Sequence, residues 1–400
     1  MRLEDEWAAN EERLLREAGT LGGLLERIRG LFSPRLIHDR EWEGLAGRAA
    51  ELPPTLAAFP LWLGFPLDEP REGTELCVSV VGGTRSAAFF RDRGSARISR
   101  RESIENSDPS TASIASLLEQ TGPQDSPLRR VAGDRVLLEH GLDAAKPHRR
   151  RGPEVSLYPI RPTLAGDPTG GRLRDLGVAL DAIDAATGRE PDAAARRQVE
   201  RVYLALDPHT RIGGIGVLPS QTRGTRLTGL GFVGIRDVAA FLERAEWPGR
   251  PGAVVSLLSG LEHRRALDGM HLGVHFEVNA DGVGPTLELH VFCRNTMYEN
   301  QGWFKDKRYW GPLMDGLRQE GLTVPEKLSE LAKWSSGSRV LFGRSGPFVA
   351  LQRIHHFKFV LAEDRIHRIK GHVFLLMCGG GPRPSTGPEG TGSRRSARAR

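Results

Sequence analysis

Apolar residues between positions 4 and 29, namely Trp7, Leu14, Leu15, Leu21, Leu24, Leu25 and Ile28, recur at a helical spacing. Acidic residues come early and arginines late in this segment, the order that the helix dipole favours. Gly19, Gly22 and Gly23 divide it in two, and a further helix is expected over 39–52, ended by Pro53-Pro54. The period then falls to two. ELCVSVV at 75–81 alternates as a strand does, with a return strand expected near 86–90. From 91 to 130 the chain is polar around one apolar cluster, Ile114 to Leu118, which predicts a surface excursion about a single helix.

RVLLEHGL at 135–142 and EVSLYPI at 154–160 predict a strand pair joined by a loop containing KPHRRR. Helices fit 171–187 and 191–198. VERVYLALD and GTRLTGLGFVG are expected to be strands, with Arg201 and Tyr203 on the polar face of the first and Arg226 on that of the second. Two helices over 235–267 break at Trp247-Pro248-Gly249, a hairpin fills 271–292, and helices over 309–320 and 325–334 precede a last hairpin ending near 377. Helices and β-pairs thus recur near 75, 135, 200, 271 and 355. About ten antiparallel strands curl to eliminate their edges, so the pattern predicts an α+β fold. Its sheet is a closed or nearly closed antiparallel barrel with helices outside, and an open two-domain α+β sheet is the alternative. Residues 1–378 are expected to form a single large domain, with a subdivision near 190 left open.

Strand parity sorts the two hairpins that hold seven of the twelve histidines. Over 271–278, Leu272, Val274, Phe276 and Val278 share one face, while His271, His275 and Glu277 share the other. On the return strand Thr286, Glu288 and His290 oppose Leu287, Leu289 and Val291. If Val278 pairs with Pro285 around NADGVG, His275 stands opposite Glu288. In the last hairpin His356 and Lys358 alternate with Phe357 and Phe359, and Arg368, Lys370 and His372 alternate with Ile369 and Val373. Two readings stay open: the polar faces meet water, or they line a cavity.

The cavity reading nominates Glu75, His275, Glu277, Glu288 and His290 as acid/base groups. It gives Arg201, Tyr203, Arg226, His356, Lys358, Arg368, Lys370 and His372 the task of holding an anion. No metal site is expected: His271 and His275 lie about 13 Å apart along an extended strand. GGIGV at 213–217 lacks the strand-to-helix setting of a dinucleotide loop, and the chain has no GxxxxGK[ST] or GxSxG motif.

Charge changes the picture little. Of the net +6, residues 379–400 carry +4, from five arginines and one glutamate, in a Gly- and Pro-rich stretch expected to be a disordered basic tail. The body is nearly neutral, so no nucleic-acid partner is expected. Three scattered cysteines without a CxxC pair, a charged N-terminus and the absence of a long apolar run predict a reduced, cytoplasmic protein with no membrane span.

Two resemblances attach to these residues. A Gly/Thr turn opening a strand with Glu75 (GTELCVSV) and a basic residue on a second hairpin strand (IKGHVF, Lys370) are similar to aromatic prenyltransferases of the αββα-barrel type, particularly the indole-prenylating branch. That resemblance implies Glu75 assisting loss of an aromatic proton, and Lys, Arg and Tyr holding a diphosphate. The chain departs from the family where a Lys-x-Tyr signature reads Lys370-Gly371-His372 and Leu289-His290-Val291. LLEHGLD, PEVSLYP, AEWPG and both histidine hairpins, spanning about 130–377, resemble a bacterial natural-product family of which the crocagin-type ribosomally made peptides are an example.

The resulting expectation is a tailoring protein of bacterial secondary metabolism that holds a small peptide or aromatic precursor in a polar cavity. It would assist ring formation on a ribosomally made peptide by acid/base chemistry. Aromatic prenyl transfer and non-catalytic peptide binding are the alternatives. No cofactor is expected, save Mg2+ if a diphosphate is used, and a homodimer is left open.

Overall fold

The computed structural model describes residues 3–68, 73–100, 109–141, 154–157, 170–207, 210–217, 224–232, 234–293, 307–335, 338–362 and 365–379. Its eleven strands are β1 (Leu61–Pro66), β2 (Glu75–Val81), β3 (Arg135–Gly141), β4 (Glu154–Leu157), β5 (Arg211–Val217), β6 (Thr225–Phe232), β7 (Met270–Asn279), β8 (Gly282–Cys293), β9 (Ser338–Gly343), β10 (Gly346–Ala362) and β11 (Arg365–Gly379). All neighbours pair antiparallel, from β1 through β8, then β10, then β11 and back to β1. Ten strands therefore close a barrel, as the α+β pattern predicts, and the open two-domain alternative falls. The ninth strand hangs outside it on the first half of β10, with its far edge free of described partners.

Hydrophobic parity decides which face turns inward. Leu76, Val78 and Val80 on β2, Leu287, Leu289 and Val291 on β8, and Phe357, Phe359 and Leu361 on β10 are buried in one continuous apolar core. Helices supply the other half of that core: Leu14 of α1 (Leu3–Glu17), Leu24 and Leu25 of α2 (Leu21–Ile28) and Trp42 of α3 (Asp39–Arg48) among them. The alternate residues of each strand, which carry the charges, must then point into the barrel.

Several local expectations are corrected. Residues 86–90 belong to helix α4 (Arg85–Arg100), whose Ala87 and Phe90 are buried three residues apart, and the hairpin partner of β2 is β1. The polar excursion holds two further helices, α5 (Pro109–Thr121) and α6 (Pro127–Ala132). After α7 (Gly170–Thr187), VERVYLALD is largely helical: it ends α8 (Ala193–Leu204). Asp192 caps α8 by accepting from the amides of Ala194 and Ala195, and Val199, Val202 and Tyr203 bury its inner stripe. β6 pairs instead with β5, the GGIGV segment.

The pairs α9 (Ile235–Arg244) with α10 (Pro251–His263) and α11 (Lys307–Gln319) with α12 (Pro325–Trp334) fall where the pattern put them. Trp247, Trp310 and Trp334 are core anchors. The KPHRRR loop, Trp303 and the basic tail beyond Gly379 lie outside the described residues.

Candidate functional site

Cross-strand register brings the charges together. Gly64 of β1 lies between Glu75 of β2 and His372 of β11, Lys358 of β10 between Lys370 of β11 and His290 of β8, and Glu288 of β8 opposite His275 of β7. A Cβ at residue 64 would stand 2.5 Å from His372 Cε1 and 3.0 Å from Glu75 Oε2, so the glycine makes room for both.

Lys358, only 2% exposed, is the hub. Its Nζ lies 3.3 Å from Glu288 Oε2, 3.5 Å from Glu75 Oε2 and 3.8 Å from Glu139 Oε1. Lys370 pairs with the other oxygen of Glu75, His372 Nε2 stands 3.4 Å from Glu75 Oε2, and Arg226 Nη2 lies 3.4 Å from Glu288 Oε1. Burial opposes ionisation of Glu75, Glu288 and Lys358, yet mutual attraction prevails. Burial alone would raise the Glu75 carboxyl, but Lys358, Lys370 and His372 hold it below its ordinary range. Glu288 is likewise held down, against burial, by Lys358, Arg226 and His275, and Lys358 is pushed above the usual lysine range, against burial, by Glu288 and Glu75.

Three histidines complete the inner wall. His290, His356 and His372 stack ring on ring across β8, β10 and β11, with centroids 4.8 and 4.2 Å apart and planes within 6° and 11° of parallel. Burial, reinforced by Lys358, lowers all three, His290 to about 4. His355, beside a bulge in β10, places its Nδ1 2.7 Å from His356 Nδ1 and is lowered to about 4 by burial. Around His355 stand the rings of Trp62, Phe292 and Phe374, an aromatic wall next to the charged one.

At the other side a cavity of ≈ 210 Å³ is lined by Arg226, His275, Glu277, Pro285, Thr286 and Glu288, with Phe276 and Gly284. It exists because the hairpin turns early. Asn279 accepts from the Asp281 amide, Val278 pairs with Val283, and residues 284–286 bulge outward opposite Glu277. The expected Val278–Pro285 pairing is thus replaced by a tight turn, while the His275–Glu288 pairing is present, with Nδ1 to Oε2 at 3.0 Å.

Ligand atoms of His275, Glu288 and His290 lie within 4.8 Å of one another, close enough to hold one ion. The carboxylate they share, however, already faces Lys358 on one oxygen and Arg226 on the other, and two cations there repel a third. The trio is therefore read as a hydrogen-bonded pair with a stacked neighbour.

Of the nominated residues, Glu75, His275, Glu288, His290, Arg226, His356, Lys358, Lys370 and His372 share this interior. Glu277 lines the cavity mouth beside Arg226, and Arg368, half-buried opposite Val360, lies toward the hairpin end. Arg201 and Tyr203 do not join: they sit on helix α8, Arg201 paired with Glu246 and Tyr203 buried in the apolar core. Glu139, His355 and Gly64 were not nominated. The alternation in RVLLEHG, with Val136 and Leu138 on one face, was a signal for Glu139, whereas nothing in the sequence marks the bulge at His355.

By sequence the chain matches no family model and no curated protein. Its fold is similar to 5-dimethylallyltryptophan synthase from Streptomyces coelicolor, at 14% identity and TM-score 0.47 over 88% of this chain and 97% of that one. It is similar also to 6-dimethylallyltryptophan synthase from Micromonospora olivasterospora, solved with DMASPP and Trp, at 15% identity and TM-score 0.47 over 88% and 95%. AnaPT from Neosartorya fischeri gives 13% identity and TM-score 0.49 over 92% and 94%. None of these three structures is of the crocagin-type family. No described helix is long and apolar enough to cross a membrane.

Proposed function

We propose that the protein transfers a prenyl group from a diphosphate to an aromatic ring inside the barrel. The observation that carries this reading is the Glu75 carboxylate, buried, ionised and held between Lys358 and Lys370. In such a reaction the allylic C–O bond breaks and its electron pair leaves with the diphosphate. The ring carbon then bonds the allylic carbon, and the ring loses its proton to a base. An arenium ion is so acidic that a carboxylate with a lowered pKa suffices as that base, and its fixed negative charge also stabilises the cation before the proton moves. Lys358, Lys370 and Arg226 supply positive charge for the leaving group, and the faces of Trp62, Phe292 and Phe374 suit an allylic cation.

The acceptor is an aromatic ring, free or carried on a small peptide. Ring closure on a ribosomally made peptide draws no distinct support from the interior. Incubation with dimethylallyl or geranyl diphosphate and aromatic acceptors, tryptophan and a tryptophan peptide included, is the test. The expected result is a product heavier by one prenyl unit with equal release of diphosphate. Absence of both with every pair would overturn the reading.

A further inference from the structure

The charged groups at the centre of the interior are paired with one another before any substrate arrives. Among the described residues its ion pairs join three carboxylates, Glu75, Glu139 and Glu288, to three cations, Lys358, Lys370 and Arg226. A diphosphate brings two to three further negative charges into this enclosure, and these cations, each already shared with a carboxylate, offset them only in part. The histidine stack is placed to do so. His290 Nδ1 and His356 Nε2 are buried without a hydrogen-bond partner among the described residues, and His372 Nε2 meets Glu75 Oε2 at 3.4 Å without hydrogen-bond geometry, an arrangement that costs stability unless a ligand completes it.

Resting on the prenyl-transfer reading, we propose that His290, His356 and His372 form part of the anion seat and take up protons from solvent as a diphosphate enters. The groups facing the stack set the direction of the coupling. Glu75 on β2, Glu139 on β3 and Glu288 on β8 favour protonation, while Lys358 on β10, Lys370 on β11 and Arg226 on β6 oppose it. Each ring also opposes protonation of the next, as His275 does for His290 and His355 for His356, and further along the inner face come His271 and Glu277 on β7, Cys77 on β2, Arg135 on β3, Arg353 on β10 and Arg368 on β11. With the central charges paired and the site buried, the rings stay neutral when the barrel is empty. An added anion tips the balance, because opposite charge nearby favours the charged form. The same coupling read in reverse makes diphosphate bind more tightly as pH falls and leave more readily as pH rises.

Imidazole nitrogen NMR of the full-length protein, 15N-labelled on histidine, tests this at pH 7.5 with inorganic pyrophosphate as the probe. The His356→Gln variant assigns the central ring. Titration calorimetry in two buffers of different ionisation enthalpy counts the protons. The expected result is binding with at least one stack ring passing from imidazole to imidazolium, proton uptake from the buffer, and uptake reduced in H356Q. Pyrophosphate that binds while all three rings stay neutral would overturn this inference and leave the prenyl-transfer reading intact. Failure of both pyrophosphate and dimethylallyl diphosphate to bind would overturn both.

Discussion

Gly64 and His372 are cross-strand partners, and the imidazole of His372 fills the space that any side chain at residue 64 would need. The same space admits Glu75 Oε2, so one missing methyl group seats both the base and the end of the histidine stack. Gly64→Ala should displace His372 and Glu75 at a cost of about 1–3 kcal/mol, the usual penalty for overpacking a tight interior. Thermal unfolding measures the loss, and an unchanged melting temperature with unchanged turnover would show that the space is not needed.

Lys358 is the shared partner of three carboxylates, Glu75 buried and Glu139 and Glu288 half-buried. Lys358→Met should cost about 3–5 kcal/mol in urea unfolding at neutral pH, since uncompensated buried charge is expensive. The deficit should shrink as pH falls toward 5, because carboxylates stripped of their cation bind protons more readily. A deficit that is independent of pH would point to lost packing instead.

How much of this was legible in the sequence depends on whether a feature is local. Parity alone placed His275 opposite Glu288 and separated Lys358 and Lys370 from Phe357 and Ile369, because a strand's two faces are written in its alternation. The direction of those faces was not local. It follows from β1 closing on β11 across some three hundred residues, and β1 itself, LWLGFP, hides its Gly64 in an apolar run between prolines. Tyr203 went astray because VYLAL fits both periods. The buried stripe of Val199, Val202 and Tyr203 shows that packing on β7 and β8 chose the helix.

Acid should unfold the protein earlier than its carboxylates alone would require. His290 and His355 titrate at about 4 in the folded state, whereas free histidines titrate near 6.5. Below that value the unfolded chain binds protons that the folded chain refuses, so stability is present above about pH 6.5 and falls as pH drops toward 4. Each of the two contributes a loss on the order of 2 kcal/mol by pH 5. Glu75 and Glu288, lowered in the folded state, act in the same direction at still lower pH. Unfolding free energies at pH 7.5, 6 and 5 check this, and a flat profile over that range would contradict it.

Prenyl transfer should persist in the presence of a strong chelator. Lys358, Lys370 and Arg226, together with the histidine stack, supply within the chain the positive charge for which a diphosphate enzyme would otherwise recruit Mg2+. Initial rates with and without EDTA should agree within about twofold, an indistinguishable difference on the scale of RT. A rate that collapses with EDTA and returns with Mg2+ would assign part of that work to the ion.

The most direct measurement compares turnover of the wild type and Glu75→Gln with dimethylallyl diphosphate and an accepted aromatic ring, each protein first shown to be folded and to bind the diphosphate. Glutamine keeps the shape of the side chain but neither accepts the ring proton nor carries the charge that steadies the cation. Product formation in E75Q should fall by about 100-fold or more, as loss of a general base and its charge requires. A folded E75Q protein that binds the diphosphate and turns over at the wild-type rate would contradict the account.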